Sequence, residues 1–232
     1  MSQVSVVLPI HNEEKHLPHS LGFLLKELKK NIKMPYEVIL VENGSTDRSW
    51  EICKEFQKNH PNITQTIHLA TRSYGLAIRE GIYQSRFENI ILFNVDFWDI
   101  HFLIKGIELL ASCDIVVGSK TLIVSNDLRP FHRRQITYWF NVLLRAFYNF
   151  PGTDTHGIKA LKKKSILPIA KSCYPLRELY DTQLVLRACR KKLIYIELPI
   201  SVKEKRPSRY PPIRRTINLL HDLVVIFKYR YL

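Results

Sequence analysis

Ile90-Ile91-Leu92-Phe93-Asn94-Val95-Asp96-Phe97-Trp98-Asp99 is the stretch whose reading decides the fold. Four apolar residues in a row, bounded by polar ones, read as a short strand buried on both faces, as in a parallel sheet. An amide and a carboxylate follow two residues apart. In a strand-like segment that spacing points Asn94 and Asp96 to the same side. Open α/β sheets take their ligands in the crevice beyond the carboxyl ends of the strands. A hard cation held there by oxygens of Asn94 and Asp96 would in turn hold a diphosphate. The alternative is that Asp96 only begins a loop or caps the next helix.

Toward the N-terminus the same grammar repeats. Val4-Ser5-Val6-Val7-Leu8-Pro9 is a strand that stops at a proline, followed by His11-Asn12-Glu13-Glu14. Leu17, Leu21, Leu24, Leu25 and Leu28 then recur at helical spacing. The next strand, Tyr36 to Val41, runs into Glu42-Asn43-Gly44-Ser45-Thr46-Asp47, where Gly44 permits a tight turn before a helix through Trp50, Ile52 and Phe56. A short strand at Ile67–Leu69 and a helix around Gly75–Gly81 come next. Toward the C-terminus, a helix around Leu103–Leu110 leads to a buried strand, Asp114 to Gly118, closed by Ser119-Lys120. Strands alternating with helices in this way predict a mainly parallel α/β sheet with right-handed crossovers. Neither GxGxxG nor GxxxxGK[ST] is present, which argues against dinucleotide and P-loop readings.

Beyond Lys120 the pattern loosens. Ser125–Arg134 reads as a polar, basic loop with Arg129, Arg133 and Arg134, and Tyr138–Phe150 as an aromatic-rich helix. The apolar side of that helix would be Phe140, Leu143, Leu144 and Phe147. Asp154 and His156 sit in a turn-rich segment, and Asp181 precedes a helix that it would cap by default. From Ile213 to Tyr231 apolar residues recur at intervals of three and four, flanked by Arg214-Arg215 and Lys228. That is an amphipathic helix suited to a membrane surface or to docking on the domain or a second subunit.

Together these segments resemble the family 2 glycosyltransferases of the GT-A fold, and among them the polyprenyl-phosphate sugar transferases such as dolichol-phosphate mannose or glucose synthases. Val-Val-Leu-Pro-Ile-His-Asn-Glu-Glu resembles the family's opening strand, which implies that Pro9, His11 and Glu13 line the nucleotide pocket. Val41-Glu42-Asn43-Gly44-Ser45 resembles VDDGS with both acids altered, and places Val41 and Asn43 against the base. Asn94-Val95-Asp96 falls on the DxD motif, whose first acid is here an amide. The resemblance thus assigns Asn94 and Asp96 to a Mg2+ or Mn2+ ion, with Phe93 and Val95 beside the nucleotide sugar. A further family metal ligand falls on Trp98, and Asp99 is the side chain placed to compensate.

Gly118-Ser119-Lys120 resembles GSR, whose basic residue faces the phosphates. Asp154 to Lys159 resembles the acceptor segment DTxxGFK. Asp181-Thr182-Gln183-Leu184 resembles DTEL with the glutamate replaced, and Glu197-Leu198-Pro199-Ile200 matches EVPI. Lys203 through Ser208-Arg209 resembles RxxGxSK, a phosphate-gripping loop. The resemblance implies a GT-A domain over residues 1–210 and a basic helix over 211–232. It implies transfer of a hexose from a UDP- or GDP-sugar to a polyprenyl phosphate, with Asp96, Asp181 and Arg209 catalytic. Lys120, Asp154, Lys203, Ser208 and Arg209 would hold the acceptor or its phosphate. An anionic acceptor oxygen needs little base; a glycan hydroxyl would need one, for which Asp181 is placed. A catalytically degenerate nucleotide-binding or scaffold member is the other reading that the altered motifs permit.

Composition agrees with an anionic partner. The 232 residues fit one α/β domain, and 35 basic against 21 acidic residues give a formal charge of +14. No RNP, KH, zinc-finger or helix-turn-helix signature accompanies that charge, so a nucleic-acid partner is not expected. The four cysteines form no CxxC pair, which argues against zinc and for a reducing compartment. No secretory leader and no run of about 20 apolar residues is visible. The expectation is a peripheral protein on the cytoplasmic face of a membrane, bound to its surface, to a membrane partner or as a homodimer.

Overall fold

The computed structural model describes residues 3–122, 124–174 and 179–202. Along the chain these form β1 (Val4–Ile10), α1 (Leu17–Asn31), β2 (Tyr36–Asn43), α2 (Ser49–Asn59), β3 (Thr64–Leu69), α3 (Tyr74–Gln84) and β4 (Asn89–Leu92). They continue with α4 (Ile100–Leu109), β5 (Ile115–Ser119), α5 (Phe131–Tyr148), β6 (Lys159–Lys162), α6 (Lys163–Ser172), α7 (Tyr180–Arg190) and β7 (Tyr195–Pro199). One seven-stranded sheet joins them in the order β3-β2-β1-β4-β6-β5-β7. β6 runs antiparallel to both its neighbours, and the other strands point one way.

The apolar runs are explained by burial on both faces. In β1, Val4, Val6, Leu8 and Ile10 join a core with Leu17, Leu21, Leu24 and Leu28 of α1 and with Phe102, Leu103 and Ile107 of α4. Val7 points into the other core, with Ala77, Ile78 and Ile82 of α3. β4 divides likewise, Ile91 to the first core and Ile90 and Leu92 to the second. Each such side chain contributes about 1.5–3 kcal/mol by leaving water, so truncating Leu21 or Ile91 to Ala would cost roughly 2–5 kcal/mol.

Strand order reverses direction at β1, which has β2 on one side and β4 on the other. A crevice opens at such a switch point. Here its cause is local. Phe93 N–H donates to Val7 O, so Val7 faces β4. Two residues on, Pro9 faces the same edge without an N–H, and the β1–β4 ladder ends while β1 stays paired with β2 as far as Ile10.

Several expectations are corrected. β4 ends at Leu92, and Asn94 and Phe97 exchange backbone hydrogen bonds across a tight turn, so the strand spacing expected to put Asn94 and Asp96 on one side does not apply. Helix α5 begins at Phe131 after Pro130, which puts Arg133 and Arg134 in the helix rather than in a loop. Phe140 and Leu144 face the core as expected, but Phe147 is exposed. Residues 159–172, not anticipated as regular structure, form β6 and α6. The amphipathic segment 211–232 and the 203–209 loop lie outside the described residues. Among the described residues no helix is long and apolar enough to cross a membrane.

Candidate active site

The loops after β1 and β2 are stitched together through backbone. Asn12, at positive φ, donates its N–H to Ser45 Oγ and accepts Thr46 N–H through Oδ1. Glu13 N–H goes to Ser49 Oγ and Glu14 N–H to Asp47 Oδ2. Gly44 allows the turn: its φ is +61°, and a Cβ would lie 2.7–2.8 Å from the Thr71–Arg72 backbone. His11 Nδ1 is 2.9 Å from Asn43 O, which makes that nitrogen the donor. Asn43 Oδ1 accepts Ser73 N–H at 2.6 Å. Its neighbour Glu42 is wholly buried and ties Ser45 N–H to the His68 ring. Glu42 therefore braces the loop from within, while Asn43 ties it to the start of α3.

Pro9, His11 and Glu13 thus lie together with Asn43 at the switch point. Val41 and Phe93, beside this edge, are buried in the cores on opposite faces of the sheet.

After β4, the Asn94–Phe97 turn is anchored from below. Ser20 Oγ of α1 donates to Val95 O at 2.5 Å and accepts from Trp98 Nε1 at 3.0 Å. Val95 is buried and Asp96 is exposed. Trp98, at a position the resemblance gives to a metal ligand, fixes the turn instead. Asp99 serves as a helix cap: its Oδ1 accepts from His101 and Phe102 N–H at the start of α4. Among the described residues no three His, Cys, Asp or Glu side chains gather as a metal cluster. One carboxylate and one amide carbonyl suit a hard cation that also takes oxygens from a bound diphosphate, the usual arrangement for Mg2+. They do not make an all-protein cage.

The third part of the edge comes from β5, β6 and α7. Because β6 is antiparallel, its leading segment 153–158 arrives at the same edge where the parallel strands end. Lys120 Nζ, nearly buried, donates to Asp154 Oδ2 at 2.6 Å and to His156 O at 2.8 Å. Burial pulls the Lys120 ammonium below its usual value, and the Asp154 carboxylate opposes that pull. Glu197 of β7 accepts the Thr153 and Asp154 N–H groups and the Tyr195 hydroxyl, and so clamps the segment. Gly157 (φ +155°) passes so close to β5 that a Cβ would sit 2.5 Å from Gly118 O.

Deeper still, Lys159 is fully buried 3.2 Å from Asp181, and Tyr74 OH donates to Asp181 Oδ2 at 2.9 Å. Asp181 lies inside the first turn of α7 and does not cap it. His156 Nδ1 stands 3.2 and 3.4 Å from the Thr155 and Thr182 hydroxyls, and burial lowers its pKa to about 4.

The structure therefore joins Lys120 to Asp154, and Asp181 to two residues that sequence reasoning had not assigned, Lys159 and Tyr74. The visible signal for Lys159 was one charge inside the run Gly157-Ile158-Lys159-Ala160-Leu161. Tyr74 carried none. Ser73 and Tyr74, consecutive at the start of α3, tie the Asn43 end of the edge to the Asp181 end. Lys203, Ser208 and Arg209 lie outside the described residues.

A parallel sheet with a crevice at β1/β4 and one antiparallel strand inserted beyond it defines a glycosyltransferase fold of the GT-A type. The chain belongs to glycosyl transferase family 2, whose family model matches residues 5–168. It is 30% identical over 247 aligned residues to the human dolichyl-phosphate beta-glucosyltransferase, covering 99% of this chain and 76% of that protein. The Saccharomyces cerevisiae dolichyl-phosphate beta-glucosyltransferase is 27% identical, with 96% and 73% covered. Among solved structures, glucosyl-3-phosphoglycerate synthase from Mycobacterium tuberculosis with Mn2+ and UDP-glucose aligns with a TM-score of 0.68. At 14% identity it covers 98% of this chain and 79% of that one, and so speaks to the fold.

Proposed function

We propose that the chain moves glucose from UDP-glucose to a polyprenyl phosphate of the dolichyl type, at the cytoplasmic face of a membrane. The observation that carries this reading is the similarity to dolichyl-phosphate beta-glucosyltransferases along 99% of the chain. The arrangement of the edge supports it. An acceptor phosphate oxygen, already anionic, attacks the anomeric carbon; the bond from that carbon to the diphosphate breaks, and UDP leaves with the electron pair. No proton need be removed from the acceptor. That suits an edge where the Asp181 oxygens face Lys159 and Tyr74, whereas a hydroxyl acceptor would call for a carboxylate open to it.

The nucleotide would lie across His11, Glu13 and Asn43, with its base against the Asn43 amide. Asp96 and the Asn94 carbonyl would hold a Mg2+ or Mn2+ ion carried in with the diphosphate, which when bound stabilises the charge of the leaving group. Lys120 supports the acceptor segment through Asp154. Lys203, Ser208 and Arg209 remain the proposed contacts of the acceptor phosphate.

Calorimetric titration with UDP-glucose and GDP-mannose, with and without MnCl2, tests the donor half of this reading. UDP-glucose should bind at least about tenfold tighter with Mn2+ than without it. Heat from neither sugar nucleotide would leave a scaffold role as the better account.

A further inference from the structure

Helix α5 has a second surface that the active-site edge does not use. Its inner side is core: Phe140, Asn141 and Leu144 are buried, and Phe140 meets the His156 ring edge-on. Its outer side is apolar as well. Phe131, Tyr138 and Trp139 are 67%, 54% and 61% exposed. From Phe131, Tyr138, Val142 and Ala146 follow at intervals of seven, four and four, which aligns them along one side of the helix. In the loop that leads into α5, Val124 and Leu128 are 77% and 57% exposed. Most of the exposed large apolar side chains among the described residues fall between Val124 and Phe147. Such a concentration marks an interaction surface, where scattered single residues would not.

Charge selects the occupant. Helix α5 contains Arg133, Arg134 and Arg145 and no acid. The Arg134 guanidinium lies 5.9 Å from the centre of the Phe131 ring. The one acid in residues 124–148, Asp127, is held by both ends of the Arg129 fork. Val202, the last described residue, is paired with the loop before α5: Leu128 N–H donates to Val202 O and Val202 N–H to Asn126 O. Residues 203–232 carry eight Lys and Arg against two acids, so laying them on α5 would set like charges together. A two-fold contact between copies would oppose the same arginines. An anionic lipid surface has the complementary charge, and its headgroup layer accepts aromatic rings with a polar edge.

We infer that the outward face of α5, with the Val124–Leu128 loop, docks the domain on an anionic membrane. Phe131, Tyr138 and Trp139 enter the interface, while Arg134 and Arg145 meet lipid phosphates. This deepens the reading of a lipid acceptor and rests on it for its purpose, but membrane binding is measured without any transfer.

The test is flotation of the full chain with vesicles of phosphatidylcholine alone, or with about 30% phosphatidylserine. The wild type should float with the anionic vesicles and far less with the neutral ones. Phe131→Gln/Trp139→Gln should lower partitioning at least about tenfold while UDP-glucose binding and the unfolding midpoint stay as in the wild type. Arg134→Gln/Arg145→Gln, with the aromatic face intact, should lose the preference for anionic lipid. The inference is overturned if the aromatic variant floats like the wild type, or if neutral vesicles bind equally well. It is also overturned if the wild type is a dimer in solution that the aromatic variant dissociates. Vesicle binding without transfer would sink the lipid-acceptor reading alone; transfer to a short water-soluble polyprenyl phosphate without vesicle binding would sink this inference alone.

Discussion

Lys120 Nζ donates to Asp154 Oδ2 at 2.6 Å, so the base expected at the donor phosphates and the acid expected at the acceptor are each other's partner. The pair closes the gap between β5 and the segment that leads into β6. Both side chains are nearly out of water, where each is the other's charge partner and the backbone of His156 completes their hydrogen bonds.

Removing one member therefore leaves a buried charge unpaired. Lys120→Met or Asp154→Asn should each destabilise the fold by about 3–5 kcal/mol, measured by urea unfolding. Lys120→Met/Asp154→Leu should recover most of that loss. Single-variant losses under about 1 kcal/mol, the range of an exposed pair, would contradict the burial seen here.

The Lys159–Asp181 pair should behave alike, with Tyr74 as a third member. Tyr74→Phe removes a donor to a buried carboxylate and should cost about 1.5–3 kcal/mol. Lys159→Met should cost roughly 3–5 kcal/mol. In a double-mutant cycle the two should couple through Asp181 by at least about 0.5 kcal/mol, whereas additive losses would place them in separate environments.

The parallel strands were legible because burial on both faces writes uninterrupted apolar runs such as Ile90–Phe93. β6 was not. It spans only Lys159–Lys162, opens and closes on lysine, and Lys159 is tolerated there because Asp181, far along the chain, lies against it and Gly157 O accepts from its ammonium. The turn at Asn94–Phe97 was hidden for a related reason. Its anchor, Ser20, stands on a helix distant in sequence, and no spacing rule connects the two. Pro130 did mark the true start of α5, but the basic residues after it looked like a loop.

Asp99 and Asp96 should separate cleanly. Asp99→Ala removes a helix cap and should cost about 1 kcal/mol, with the Mn2+ dependence of UDP-glucose binding unchanged. Asp96→Ala should leave stability within about 0.5 kcal/mol, as for an exposed side chain, and abolish that dependence in calorimetry. The reverse pattern would make Asp99 the ligand and overturn its assignment as a cap.

His156 gives the fold an acid limit. The unfolded chain takes up a proton on this histidine near its ordinary value of 6.5, and the folded chain only near about 4. Stability should thus fall as pH drops through that window, by up to roughly 3 kcal/mol. Unfolding of His156→Gln followed from pH 7 to pH 4 should show a shallower decline than the wild type. Parallel curves would mean that the buried imidazole is not the group that titrates.

The most direct measurement is glucosyl transfer itself. The full chain would be given radiolabelled UDP-glucose, Mn2+ and a polyprenyl phosphate in detergent, and product counted in the lipid phase, with Asp96→Ala alongside. The wild type should give labelled lipid, but none when the free polyprenol replaces its phosphate, and Asp96→Ala should show a loss of about a hundredfold or more. No labelled lipid from a wild type that binds UDP-glucose, or equal transfer to the free alcohol, would contradict transfer to the lipid phosphate.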